Sequence, residues 1–70
     1  MPTVRELIMK FFRDHPDDVF RTTTVTDWVK VKYHQAHGRE PVDVSTPIND
    51  LSHEGFLIRV GHGRYKYRRS

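Results

Sequence analysis

The chain opens with apolar residues at the spacing of one helical stripe, namely Val4, Leu7, Ile8 and Phe11. Thr3 stands just before the stripe and Glu6 follows three residues later, which is the spacing of a capping box at a helix N-terminus. His15 precedes Pro16, and the residue before a proline avoids the α conformation. The pattern therefore predicts a first helix over residues 4–14.

A second helical stripe lies in the middle of the chain and consists of Val25, Trp28, Val29, Tyr33 and Ala36. Thr24 is the expected N-cap and Gly38 the expected C-terminal cap, so we predict a helix near residues 25–37. Residues 19–22, Val-Phe-Arg-Thr, are rich in strand formers and predict a brief strand or an extended linker between the two helices.

A third, short helix is expected near residues 47–54. Thr46 supplies a hydroxyl cap, and Pro47 then occupies the first helical position, where its missing N–H is not needed. Ile48 and Leu51 lie three residues apart and form the predicted buried side of this helix.

The last part of the chain alternates in two runs around the sequence Gly61-His62-Gly63, which predicts a β-hairpin with a tight turn. A two-residue loop at His62-Gly63 places one set of side chains on an apolar inner face, namely Phe56, Ile58, Val60, Tyr65 and Tyr67. In this register Arg59 faces Lys66 and Leu57 faces Arg68 on a mostly basic outer face. A two-residue loop at Gly61-His62 is the alternative and keeps the same faces. The hairpin is therefore expected to have one apolar and one cationic side.

Positive charge is concentrated in this closing segment. Residues 1–55 contain seven Lys or Arg and nine Asp or Glu, whereas residues 56–70 contain five Lys or Arg and no acid. Like charges opposite each other in a hairpin cost stability, and a bound polyanion would provide a reason for that cost. The alternative interpretation is a solvated edge strand that charge protects from aggregation.

Length and composition limit the remaining classes of function. Seventy residues without cysteine predict one small domain over residues 1–70, without disulfides, in the cytoplasm or in a nucleus. No apolar run approaches the ~20 residues of a membrane span, so we expect no membrane partner. His34 and His37 lack a third ligand nearby, and no nucleophile or phosphate loop is evident. We therefore predict a protein that is not an enzyme and has no cofactor or metal.

The stretch PINDLSHEGFLIRVGHGRYKY, residues 47–67, resembles the third helix and the wing of the winged-helix (winged helix-turn-helix) family. The resemblance covers nearly the whole chain and implies an α+β fold: three helices, a C-terminal β-hairpin wing, and a possible short strand between helices 1 and 2. It also implies DNA binding, with the third helix at the major groove and the wing on phosphates. The positions carried over are Thr46, Asn49 and His53 in the helix and Arg59, His62, Arg64, Lys66 and Arg68 in the wing.

One departure from the family pattern concerns the third helix. The segment STPINDLSHE contains no Lys or Arg, and its acids Asp50 and Glu54 would repel phosphates. We therefore expect the wing to be the electrostatic anchor of a transcription regulator or of the DNA-docking module of a larger protein. Tight binding would need a homodimer or a fused partner protein. A protein-interaction winged helix without DNA contact is the second interpretation, and RNA binding is the third.

Overall fold

The computed structural model describes residues 3–68, in which the elements follow the order helix, strand, helix, helix, strand, strand. Their bounds are α1 (Val4–Asp14), β1 (Val19–Arg21), α2 (Thr22–His37), α3 (Ser45–His53), β2 (Leu57–Gly61) and β3 (Arg64–Tyr67). Over this range the strands form one antiparallel sheet in the order β1-β3-β2. The domain is thus α+β with the layout of a winged helix, as the sequence predicted. No helix in residues 3–68 is both long and apolar enough to cross a bilayer.

Helix α1 has the predicted bounds because its signals are local. The Thr3 hydroxyl accepts a hydrogen bond from the Glu6 N–H at 3.1 Å, which is one arm of the predicted capping box. The Glu6 carboxylate accepts from the same hydroxyl at 3.3 Å. At the other end the His15 N–H donates to the Phe12 carbonyl, and the helix stops before Pro16.

Helix α2 begins three residues earlier than predicted, and the assignment of Thr24 as its N-cap is wrong. The helix starts at Thr22, which donates its N–H to the Gly63 carbonyl at 2.9 Å and its hydroxyl to the same oxygen at 3.2 Å. Strand β1 therefore runs directly into the helix, because the hairpin turn binds the chain at that point. The predicted end is confirmed, since Gly38 has a φ of 72° and donates its N–H to the His34 carbonyl.

Helix α3 begins at Ser45, so the prediction of a hydroxyl cap at Thr46 is also wrong. The Asp43 carboxylate takes that role and accepts from the Ser45 N–H at 3.1 Å and the Ser45 hydroxyl at 3.0 Å. Thr46 and Pro47 then lie in the first turn, where a missing N–H still costs no intrahelical hydrogen bond.

The core joins the predicted helical stripes to the inner face of the sheet. Its buried side chains are Leu7, Ile8, Phe11, Phe12, Val25, Val29, Val44, Ile48, Leu51, Leu57 and Tyr65. The Phe11 ring has its centroid 4.6 Å from that of Phe20 in β1 and 5.0 Å from that of Trp28 in α2. These aromatic contacts hold β1 and α2 against the first helix.

The hairpin register differs from the predicted one by a single residue. The loop at His62-Gly63 is as expected, and Gly61 lies opposite Arg64. Val60 is then an extra residue, a β-bulge, and the pairs below it are shifted to Leu57–Tyr67, Ile58–Lys66 and Arg59–Tyr65. The predicted pairs Arg59–Lys66 and Leu57–Arg68 are therefore wrong.

This shift exchanges the faces of β2. Leu57 is 2% exposed and joins the core, whereas Ile58 is 38% exposed and Val60 is 45% exposed. Tyr65 is buried and Tyr67 is half-buried, so the predicted inward orientation of β3 is confirmed. The predicted inward orientation of Phe56, Ile58 and Val60 is wrong, since all three are exposed. A slip of one residue moves every side chain of a strand to the other face, and the bulge produces that slip here.

Candidate nucleic-acid interface

The side of the sheet away from the core forms a mixed surface of cations and aliphatic residues. Alternation along each strand, with Phe20, Leu57 and Tyr65 pointing inward, assigns to it the set Val19, Arg21, Ile58, Arg64 and Lys66, here called the outer sheet face. The set contains three cations and no acid. Asp17 and Asp18 precede β1, at the end of the strand opposite Arg21.

Strand β3 supplies the central cations of this face. Arg64 and Lys66 are two residues apart, so their side chains emerge on the same side with a spacing of about 7 Å. Lys66 lies between Val19 of β1 and Ile58 of β2 in the three-strand row. Its aliphatic stem thus lies beside two aliphatic neighbours, an arrangement that leaves the ammonium free to reach solvent.

Arg64 has a second cation as its cross-strand neighbour. It lies directly opposite Arg21 of β1 in the antiparallel register. In the part of the chain that the structure describes, the ion pairs join Arg5 to Glu54 and Lys10 to Asp14. Arg21, Arg64 and Lys66 take part in neither of these two ion pairs.

The hairpin turn brings together Arg59 and His62, two further predicted site residues. The Arg59 Nε donates to the Gly61 carbonyl at 3.3 Å, and its Nη2 lies 3.4 Å from His62 Nδ1. Both side chains are exposed. Because Arg59 lies opposite Tyr65, its side chain starts on the inner face of the sheet. It extends past the core to the turn, since β2 is an edge strand.

Arg68 lies at the opposite end of the hairpin from this turn. Its N–H donates to the Phe56 carbonyl at 3.2 Å. Its Nη1 would lie 3.2 Å from a Cβ placed on Gly55, so the guanidinium covers the turn after α3. The structure therefore separates Arg68 from Arg59 and His62, while Arg69 lies outside the described residues.

The predicted helical site residues Thr46, Asn49 and His53 are all exposed on α3. Asp50 shares this surface, and the helix contains no Lys or Arg. Hydrogen bonds from Thr46 and Ser45 hold the pKa of the Asp43 carboxyl below its usual value, so a negative charge persists beside Thr46. Anions are disfavoured at this end of α3.

Arg21 belongs to the outer sheet face, although no sequence motif indicated it as a site residue. Its only sequence signal is a position in the short run of strand formers, and pairing with β3 is needed to bring it to Arg64. The two arginines border an open depression of about 360 Å³ lined by Arg21, Thr22, Thr23, His62, Gly63 and Arg64.

His37 of α2, one of the two histidines considered as metal ligands, lies against an aromatic side chain. The His37 ring stacks on Tyr33 with centroids 4.1 Å apart. Across residues 3–68 no group of three His, Cys, Asp or Glu is arranged to hold a metal ion.

No protein-family model matches the chain, and no curated protein and no solved structure is significantly similar to it. The winged-helix resemblance therefore rests on the motif at residues 47–67 and on the order and pairing of the elements.

Proposed function

We propose that the domain binds double-stranded DNA through the cations of the outer sheet face and of the hairpin turn. The observation that supports this most is a contiguous set of exposed or half-exposed cations, Arg21, Arg64 and Lys66, none of which belongs to the ion pairs Arg5–Glu54 and Lys10–Asp14. Lys and Arg on phosphates supply most of the sequence-independent affinity for DNA. The domain would act as a transcription regulator or as the DNA-docking module of a larger protein.

Helix α3 has a secondary role in this proposal. Asn49 is exposed and is chemically suited to a two-pronged contact with adenine in the major groove. Thr46 and His53 flank it on the same surface, but Asp50 and the Asp43 carboxylate limit how closely phosphates approach. The sheet and turn therefore supply the affinity, and α3 supplies base contacts near the groove.

The direct test is an NMR titration of the labelled protein with a duplex of about 16 base pairs, at about 50 mM and about 200 mM salt. We expect shifts at Arg21, Arg64 and Lys66 that are large at the lower salt and much smaller at the higher one. An absence of shifts at the lower salt would refute DNA binding. A single-stranded RNA of equal length serves as the competitor, and preference for it would replace DNA by RNA.

A protein partner is the second candidate, and the exposed apolar side chains along β2 favour it. Phe56, just before β2, is 47% exposed, and Ile58 and Val60 follow it within this edge strand. The acidic surface of α3 would suit a basic partner. A loss of partner binding in the Ile58→Lys variant, together with unchanged partner binding in the Arg64→Glu variant, would favour this candidate over DNA.

A further inference from the structure

Arg21 and Arg64 form a pair of like charges in the sheet. Directly opposite residues in antiparallel strands have Cβ atoms about 5 Å apart, and like charges on two such residues destabilise the pairing. The charge conflict expected from the sequence, between Arg59 and Lys66, is absent because Arg59 faces Tyr65. A conflict therefore exists at another pair, and neither arginine belongs to the ion pairs Arg5–Glu54 and Lys10–Asp14.

The surroundings of this pair are held in place by the backbone. Thr22 gives both its N–H and its hydroxyl to the Gly63 carbonyl, which fixes the hairpin turn against the end of β1. The Arg64 stem lies over Gly61, where a Cβ would be 3.8 Å from its Cδ. The two arginines thus emerge from β1 and β3, two neighbouring, hydrogen-bonded strands, beside the hairpin turn.

The depression between them has room for a polyatomic anion. It is open to solvent and has a volume of about 360 Å³. The exposed Thr23 and His62 side chains border it together with the two guanidinium groups. All these groups can donate hydrogen bonds, and no acid lines the depression.

We propose that Arg21 and Arg64 together bind one phosphate group of a nucleic acid. Each planar guanidinium can donate two parallel hydrogen bonds to phosphate oxygens, and one shared anion screens the repulsion between them. Thr23 and His62 add donors at the rim. This inference rests on the proposed DNA binding and deepens it by naming a phosphate site that includes Arg21. The phosphate is either an internal phosphodiester or the terminal phosphate of a strand.

The test compares Arg21→Ala, Arg64→Ala and the double variant by fluorescence anisotropy with the same duplex. Arg13→Ala is the matched control, since Arg13 is an exposed arginine in the last turn of α1. We expect each single variant to weaken binding about tenfold and to reduce the salt slope by about one. Because the two arginines share one phosphate, the double variant should weaken binding by much less than the product of the single effects.

Two further measurements separate this site from simpler explanations. Duplexes with and without 5′-phosphates distinguish the source: a larger loss on the phosphorylated duplex assigns the terminal phosphate, and equal losses assign an internal one. Thermal melts should show that neither single variant lowers Tm, because removing one like charge relieves repulsion. A lowered Tm with unchanged affinity would overturn the proposal in favour of a structural role.

Failure of the phosphate site and failure of DNA binding give different results. If the native chain binds the duplex but Arg21→Ala and Arg64→Ala behave like Arg13→Ala, the phosphate site is wrong and DNA binding stands. If the native chain does not bind the duplex at low salt, inorganic phosphate is titrated at constant ionic strength. Shifts of the Arg21 and Arg64 Nε–H signals would then support a phosphate site without DNA, and their absence would overturn it.

Discussion

Arg5 donates two hydrogen bonds to Glu54 and so joins the first turn of α1 to the residue after α3. Its Nη1 donates to Oε2 at 2.7 Å, and its Nη2 donates to Oε1. The hydrogen bonds from Arg5 lower the pKa of Glu54, and the same interaction raises the pKa of Arg5. Glu54, which the sequence suggested would repel phosphates, is therefore already paired with a cation.

The first prediction concerns this pair. Arg5→Gln and Glu54→Gln should each cause a small, salt-dependent loss of thermal stability, and the double variant should lose less than the sum of the two. The losses are small because the two side chains are 47% and 43% exposed and solvent screens their attraction. Thermal melts of all four proteins at low and high salt measure the coupling. Equal melting temperatures of all four at low salt would contradict it.

Acid pH should destabilise the domain through Asp43 and Glu54, whose folded-state pKa values are both lowered. A lowered folded pKa means that the stabilisation is complete above the unfolded value of about 4 and is lost as pH falls through the folded value. The destabilisation caused by Asp43→Asn should therefore be clear at pH 7 and should vanish in strong acid. Unfolding by urea across this pH range measures it, and a difference that does not depend on pH would refute the Asp43 cap.

Substitutions in β2 test the bulged register. Leu57→Ala should lower the free energy of unfolding by about 2–5 kcal/mol, because it removes a side chain that is 2% exposed in the core. Ile58→Ala, at a residue 38% exposed, should cost less than about 1 kcal/mol. Urea titrations give both values, with Leu57→Val as a milder variant if Leu57→Ala does not fold. The reverse order would support the unbulged register that the sequence alone predicted.

The two glycines of the turn should differ in their tolerance of alanine. Gly63 has a φ of 67°, so Gly63→Ala should destabilise the domain by about 1 kcal/mol through backbone strain. Gly61 does not have a positive φ, and a Cβ there would make an ordinary 3.8 Å contact with Arg64. Gly61→Ala is therefore the matched control and should be close to neutral. Comparable losses in the two variants would contradict this turn geometry.

The salt dependence of DNA binding should reflect how many cations touch phosphates. Three to five such contacts predict a slope of log affinity against log salt of roughly −3 to −4.5. Lys66→Ala should make the slope shallower by about one, because Lys66 is part of the outer sheet face. Anisotropy titrations at several salt concentrations provide the slopes. A Lys66→Ala slope equal to that of the native chain would show that Lys66 does not contact a phosphate.

Local signals in the sequence determined helix α1, the C-terminal end of α2 and the position of the turn. The capping residue Thr3, the stripe that ends at Phe11 and the C-terminal cap Gly38 act over a few residues, so their outcome does not depend on distant parts of the chain. The loop at His62-Gly63 is of the same kind, because glycine provides the positive φ wherever the hairpin packs.

Tertiary structure decided the hairpin register and, with it, the membership of the candidate site. Apolar residues occur on both faces of β2, with Leu57 on one face and Ile58 on the other. Alternation alone therefore does not say which face is buried. Packing against α3 and the bulge at Val60 select Leu57. The neighbours of Arg64 then follow from pairing with β1, which lies more than 40 residues earlier in the chain. No local pattern encodes a contact over that distance, which is why Arg21 emerged only from the folded chain.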